Sequence, residues 1–162
     1  MTRHFVHTGD RVMKTATFKP LCVRWMIRAD LPSVEYADGF TGGQEIIDLL
    51  RDKNTIGMVI EQEDESLGFM VYQLSASHIE LLRLGVHAEH RRMGVGTRMI
   101  QRLAGKIVHS KRDHIACEVA ERNVAAQLFL RNSGFKALPP ERGAESYRMC
   151  LWRPESCCSE SR

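Results

Sequence analysis

The strongest constraint in this chain is the stretch 81–100, LLRLGVHAEHRRMGVGTRMI. Leu81, Leu82, Leu84 and Val86 read as a buried strand, residues 87–90 as its polar exit, and Arg91-Arg92-Met93-Gly94-Val95-Gly96 as a turn. From Thr97 onward, Met99, Ile100, Leu103 and Ile107 recur at the spacing of one helix face. A strand that enters a helix through a basic, glycine-rich turn is suited to holding a phosphate. The first N–H groups of the helix have no partner within it, and the helix dipole adds partial positive charge there. Glycine removes the Cβ that would keep the backbone away from the anion.

The remainder of the sequence tells what kind of chain surrounds that turn. With 162 residues, 43% of them hydrophobic, it can bury the core of one domain. Residues 1–20 lack periodicity and carry scattered basic residues, as expected of a flexible leader; residues 21–153 form the domain, and 154–162 a loose polar tail. A net charge of +3 is too mild to argue for nucleic acid as a partner. A basic arm over residues 1–20 that contacts nucleic acid is the minor alternative. No apolar run is long enough to span a bilayer, and no signal-peptide pattern follows Met1. Cys22, Cys117, Cys150, Cys157 and Cys158 form no C-x-x-C pair and no zinc spacing, so no metal site is expected. An odd number of cysteines, two adjacent in the tail, points to reduced thiols in a cytoplasmic protein.

In chain order, residues 22–28 read as a first strand. Asp30-Leu31-Pro32 then leads towards a short helix over 34–40, and a second helix is expected over 44–53. Residues 55–62 and 67–74 flank the acidic turn Glu63-Asp64-Glu65-Ser66, and 78–86 follows after a tight link. Three strands with such short connections form an antiparallel meander, because a parallel return needs a long crossover. A helix over 97–109, a strand over 114–119 and a helix over 123–132 come next, the last closed by Ser133-Gly134. Short strands are expected at 135–138 and 146–152. The fold class is α/β with a mixed sheet: an antiparallel meander, then a parallel strand-helix-strand crossover. The last strand can offer an edge to a second copy, so a homodimer is possible. Val124, Leu128 and Phe129 are expected in the core with the preceding helix's apolar face. Trp25, Tyr72 and Trp152 are expected to pack there too, with an acceptor groove as the alternative.

Strand parity places a carboxylate. Ile115, Cys117 and Val119 share one face of their strand, and His114, Ala116 and Glu118 the other. Glu118 therefore stands near the C-terminal end, at the sheet edge that also bears the phosphate turn, where ligands of open sheets collect. Cys117, pointing the opposite way, is expected to be a small buried hydrophobe.

The pattern Arg91-x-x-Gly94-x-Gly96 after a strand, with Asn123-x-x-Ala126 and Gly134-Phe135 downstream, resembles the GNAT superfamily of acetyl-CoA-dependent N-acetyltransferases. The order of strands and helices over 22–152 agrees. Within that superfamily, Glu118-Val119-x-x-x-Asn123 is most similar to the ribosomal-protein alanine N-acetyltransferases. The resemblance implies a GNAT-like acyl-CoA N-acyltransferase fold with acetyl-CoA as cofactor. It implies that the backbone of Leu84, Gly85 and Val86 pairs with the pantetheine arm. It implies that Arg91, Arg92, Met93, Gly94, Val95, Gly96 and Thr97 hold the pyrophosphate, that Asn123 lies beside the cofactor, and that Glu118 is the general base. The chain departs from the alanine acetyltransferases at one position: Leu130 replaces a tyrosine proposed to protonate the leaving thiolate, and the adjacent Phe129 has no hydroxyl either.

That loss is tolerable. A thiol titrates near 8.5, so CoA leaves as a thiolate near neutral pH without an acid. The amine is harder. An α-amine near pKa 7.8 is roughly one-seventh neutral at pH 7, whereas lysine near 10.4 is neutral in only about one molecule in two thousand. A base such as Glu118 therefore counts for more than the acid. A strand N–H near Val86 can meet the oxyanion, and Tyr147 or water can deliver the proton. The expected function is acetyl transfer from acetyl-CoA to a primary amine by direct attack, with a protein N-terminus as the favoured acceptor. The alternatives are a small amine (polyamine or amino sugar) as acceptor and a non-catalytic acyl-CoA-binding module. Residues 30–43 and 139–146 are the expected acceptor-binding segments.

Overall fold

Alternating apolar residues with little to interrupt them place the longest strands in the middle of the chain. The computed structural model describes residues 20–38, 43–140 and 143–154. In order, these form β1 (Cys22–Trp25), α1 (Leu31–Asp38), α2 (Gly43–Leu50), β2 (Thr55–Gln62), β3 (Glu65–Leu74), β4 (His78–Val86), α3 (Val95–Val108), β5 (His114–Ala120), α4 (Val124–Asn132), β6 (Lys136–Ala137) and β7 (Ser146–Trp152). One seven-stranded mixed sheet runs β1-β2-β3-β4-β5-β7-β6. The meander β2-β3-β4 is antiparallel, as expected. Its first hairpin closes through Glu63 and Asp64, both at positive φ, as a two-residue turn with the twist of the strands demands.

Two cores lie on opposite faces of the sheet. On one, Met99, Ile100, Leu103 and Ile107 of α3 pack with Met70, Tyr72, Ile79, Ile115, Cys117 and Met149, and α4 adds Leu130. On the other, Val34 of α1 and Ile46 of α2 cover Val59, Phe69 and Val71. The first is called here the α3 face and the second the α1 face. On the α1 face the helices pack on β2, β3 and β4. Over β5 and β7 that face is open enough to leave Glu118 and Trp152 exposed.

Several boundaries differ from the sequence reading. β1 stops at Trp25 rather than at residue 28, because the Asp30 carboxylate accepts the Ile27 N–H at 2.7 Å and turns the chain. The same carboxylate accepts two hydrogen bonds from Arg24, each 2.8 Å, which hold it well below the ordinary carboxylate range. α1 begins at Leu31, α2 ends at Leu50, α3 begins two residues early at Val95, and β6 shrinks to two residues. β7 is flanked by β5 along its whole length and by β6 only at Cys150 and Met149, so it offers less edge than expected.

On α4 the core expectation holds for Phe129 but not for Val124 and Leu128, which are exposed, at 57% and 55%. Asn123 caps the helix by accepting the Ala126 N–H at 3.1 Å, and Ala126 and Leu130 turn inward beside Phe129. Tyr72 is fully buried, but Trp25 and Trp152 are exposed, each resting on a polar neighbour: Lys106 lies 5.9 Å from the Trp25 ring, and Trp152 packs on His114. No described helix is long and apolar enough to cross a membrane. Residues 1–19 of the leader expected over 1–20, and Cys157 and Cys158, lie outside the described residues.

Candidate active site

The site begins where two parallel strands part. β4 and β5 pair only at His78, Ile79 and Glu80 opposite His114, Ile115 and Ala116. Beyond that point the strands diverge, and residues 81–86 line one wall of a cleft of about 740 Å³ while 117–120 line the other. The cause is local. Val71 pairs with Arg83 and Tyr72 with Leu81, so Leu82 is an extra residue in β4. Such a bulge bends its strand and raises the twist. It also resets parity. Leu82 and Arg83 both lie on the α1 side, after which Leu84 and Val86 return to the α3 core. The β4 backbone groups directed away from β3 above Glu80 meet no neighbouring strand, so Leu84, Gly85 and Val86 form an unpaired rail along the cleft.

Gly85 is required for that rail. A Cβ there would come within 2.4 Å of the Phe69 ring, which is fully buried on the α1 face. At the top of the rail, Arg91 donates from Nε to the Val86 carbonyl at 3.0 Å and so ties the turn to the end of the strand. Arg92 and Gly94 both adopt positive φ, 66° and 81°. Gly94 is the N-cap of α3 and has no side chain to cap it, leaving the N–H groups of Val95, Gly96 and Thr97 without a carbonyl one helical turn back. These amides open on the cleft between two exposed arginines, a donor set that fits a pyrophosphate. The Met93 side chain is 66% exposed and does not line the cleft, so what this residue has to offer a ligand is its backbone.

The opposite wall carries the side-chain chemistry. Glu118 lines the cleft, points to the α1 side and is 65% exposed. Its neighbour across the β5–β7 ladder is Arg148, whose guanidinium lies 3.8 Å away but makes a two-pronged bond to Glu80 at 3.0 and 2.7 Å. That bond raises the Arg148 pKa, so the guanidinium is a fixed positive charge between two carboxylates. Neither Glu80 nor Arg148 stands in a sequence motif. Their only signal is strand parity, which puts them on the face of Glu118 once the strand order is known. Cys117, on the other side of β5, is buried, its Sγ donates to the Met149 carbonyl, and burial pushes its thiol up to about 12. It is a neutral packing group.

Asn123 also lines the cleft, with its side-chain oxygen committed to the helix cap. Leu130 is buried at the cleft wall, so no proton donor stands at that position. Tyr147, the other expected donor, lies outside the cleft with its hydroxyl 3.5 Å from Glu121. The sequence reading missed His90 and Ser133 at the lining. The Ser133 hydroxyl donates to the Phe129 carbonyl at 2.9 Å, as an ordinary helix-end bond. Of the expected acceptor-binding segments, residues 39–42, 141 and 142 lie outside the described residues.

A sheet split by a bulge, with an uncapped helix turn at the head of the gap, makes a cleft for a phosphate-bearing ligand lying along an unpaired strand. The model of the acetyltransferase (GNAT) family matches residues 23–135, and the chain belongs to that family. It is an acetyltransferase that uses acetyl-CoA. Solved structures show the same fold. Ard1 from Thermoplasma volcanium is 22% identical with a TM-score of 0.70, over 83% of this chain and 99% of that one. The ribosomal-protein-S18-alanine N-acetyltransferase from Escherichia coli is 17% identical with a TM-score of 0.70, over 88% and 99%. The PaiA N-acetyltransferase from Thermoplasma acidophilum, solved with coenzyme A, is 16% identical with a TM-score of 0.66, over 82% and 99%. No curated protein sequence matches the chain.

Proposed function

We propose that this acetyltransferase acts on a protein N-terminal α-amine, with Glu118 as general base. The observation that carries the reading is the position of Glu118: an exposed carboxylate on the cleft wall, open to the α1 side from which an acceptor can approach. Acetyl-CoA supplies the acetyl group as a reactive thioester. Residues 84–86 offer backbone groups to its arm, and the amides of Val95, Gly96 and Thr97, with Arg91 and Arg92, offer their charge to its phosphates. Glu118 takes a proton from the amine as the nitrogen bonds to the acetyl carbon, directly or through one water. An N–H of the β4 rail meets the charge on the acetyl oxygen. The carbon–sulfur bond then breaks, and the thiolate departs without a side-chain acid, consistent with Leu130. An α-amine suits such a site better than lysine, since its neutral fraction near pH 7 is far larger. The name of one neighbour, a ribosomal-protein-S18-alanine N-acetyltransferase, agrees with this acceptor, though its 17% identity carries the fold only.

The test is thiol release from acetyl-CoA with N-terminal peptides, lysine side-chain analogues, polyamines and amino sugars. Saturable release is expected with the peptides, strongly reduced in Glu118→Gln while acetyl-CoA affinity persists. Equal release from that variant removes Glu118 as the base. Saturation by a polyamine or amino sugar alone makes the acceptor a small molecule, and tight acetyl-CoA binding without release for any amine leaves a binding module.

A further inference from the structure

Below Glu118, the open part of the α1 face carries a second feature. His78, His114 and Trp152 lie opposite one another on three adjacent strands, β4, β5 and β7. The two imidazoles stack with centroids 5.0 Å apart and planes within 10°, and the Trp152 ring lies on His114 at 4.4 Å. The imidazoles are mostly covered, whereas Trp152 is 49% exposed. Carboxylates flank the row at both imidazoles: Glu80 is 3.3 Å from His78, and Asp113 bonds His114. The nearby cations are occupied or marginal. Arg148 is bound to Glu80, Arg153 donates to the carbonyls of Ser110 and Arg112, and Lys136 stands on the outer strand β6 beside Cys150. Glu80 is matched by that bond from Arg148, which leaves the Asp113 carboxylate, 57% exposed, and the exposed indole as the complement of a cationic side chain.

Its distance from the reacting end has a meaning. His114 and Glu118 are four residues apart on one face of β5, so the row lies roughly 13 Å from the base at about 3.3 Å per residue. An extended acceptor peptide has nearly the same rise, and with its first residue at Glu118 its fifth, four steps on, reaches Trp152. We infer that the His78–His114–Trp152 row is an acceptor subsite that binds a basic side chain at the fifth position of the substrate's N-terminal segment. This rests on the N-terminal-amine reading above, since a polyamine or amino sugar has no fifth residue to place there. The peptide crosses the Arg148–Glu80 ion pair on its way, which covers the small, buried Ala116 between the two ends.

The experiment uses the full chain, acetyl-CoA, and free-amine peptides of two or five residues, the longer ones carrying Arg or Glu at position five. The Arg peptide should exceed the Glu peptide by about fivefold in kcat/KM, the size expected of an exposed cation–π contact. Trp152→Ala should erase that preference and leave the two-residue peptide unchanged. A second reading does not need turnover. The chain has two tryptophans, so in Trp25→Phe the indole emission reports on Trp152 alone. It should change saturably with the five-residue Arg peptide and stay still with the two-residue one. Peptide turnover that needs Glu118, without preference at position five and without change in emission, overturns the subsite and leaves the N-terminal reading intact. A saturable emission change without any turnover overturns that reading and the acceptor subsite with it, and silence in both does the same. Emission that depends on protein concentration without peptide marks a contact between copies and overturns the subsite.

Discussion

The two walls of the cleft present different kinds of group. The β4 and α3 wall presents backbone: an unpaired rail made by the bulge at Leu82, a turn held at positive φ, and helix amides that a glycine leaves uncapped. The β5 wall presents a side chain, Glu118, with the Arg148–Glu80 ion pair from the strands on either side behind it. Backbone recognition suits a constant ligand, because its groups are the same in every residue and glycine spacing sets their aim. Side-chain recognition suits a variable acceptor, since each group can change without disturbing the ladder beneath it.

Substitutions should keep the two walls separate. The largest effect is expected from Glu118→Gln, which should lower kcat by about 10²-fold or more, the usual yield of a general base, without weakening acetyl-CoA in a binding titration. Loss of acetyl-CoA affinity in that variant would merge the two walls. Gly85→Ala should act the opposite way. Its methyl group meets the buried Phe69 ring, and overpacking of this kind costs about 1–3 kcal/mol. Its denaturation midpoint and its acetyl-CoA affinity should both fall, with the order of preference among acceptors unchanged. Gly94→Ala meets no atom within 4 Å, so only its left-handed backbone matters, at about 1–2 kcal/mol. A larger loss would mean that the added Cβ blocks the anion.

The smallest effect concerns pH. His87 closes the strand exit beneath the turn, 3.0 Å from the Ser33 hydroxyl on α1. Burial, partly opposed by Glu89, holds its pKa below the ordinary 6.5. The unfolded chain therefore takes up this proton first. The stability that His87 contributes is complete above about 6.5 and declines as pH falls from there towards its folded value. Thermal midpoints of the wild type and His87→Gln, measured across pH 5–8, should converge at the acid end.

How much of this was readable in the sequence follows the same division. The meander, the crossover, the turn and the parity of Glu118 depend on periodicity and on residues close in the chain, and the structure shows them where expected. Arg148 and Glu80 are 68 positions apart and share no motif, so only the finished strand order reveals their ion pair. The misplaced Val124 and Leu128 have a similar origin. Periodicity shows that α4 has apolar residues, but which side turns inward is decided by the sheet it packs on, and Ala126, Phe129 and Leu130 take that place.

The short pairing of β4 with β5 has a mechanical consequence. Three residue pairs join a four-stranded leaf to a three-stranded one, and above them the sheet is a wedge. A ligand that bonds along β4 while filling that wedge takes the place of a missing strand and stitches the leaves together. Acetyl-CoA should therefore slow amide exchange in β5 and β7 as well as along the rail it touches, and raise the thermal midpoint in proportion to the logarithm of its concentration above Kd. Its departure as CoA would leave the hinge at Glu80 and Ala116 to hold the two leaves alone.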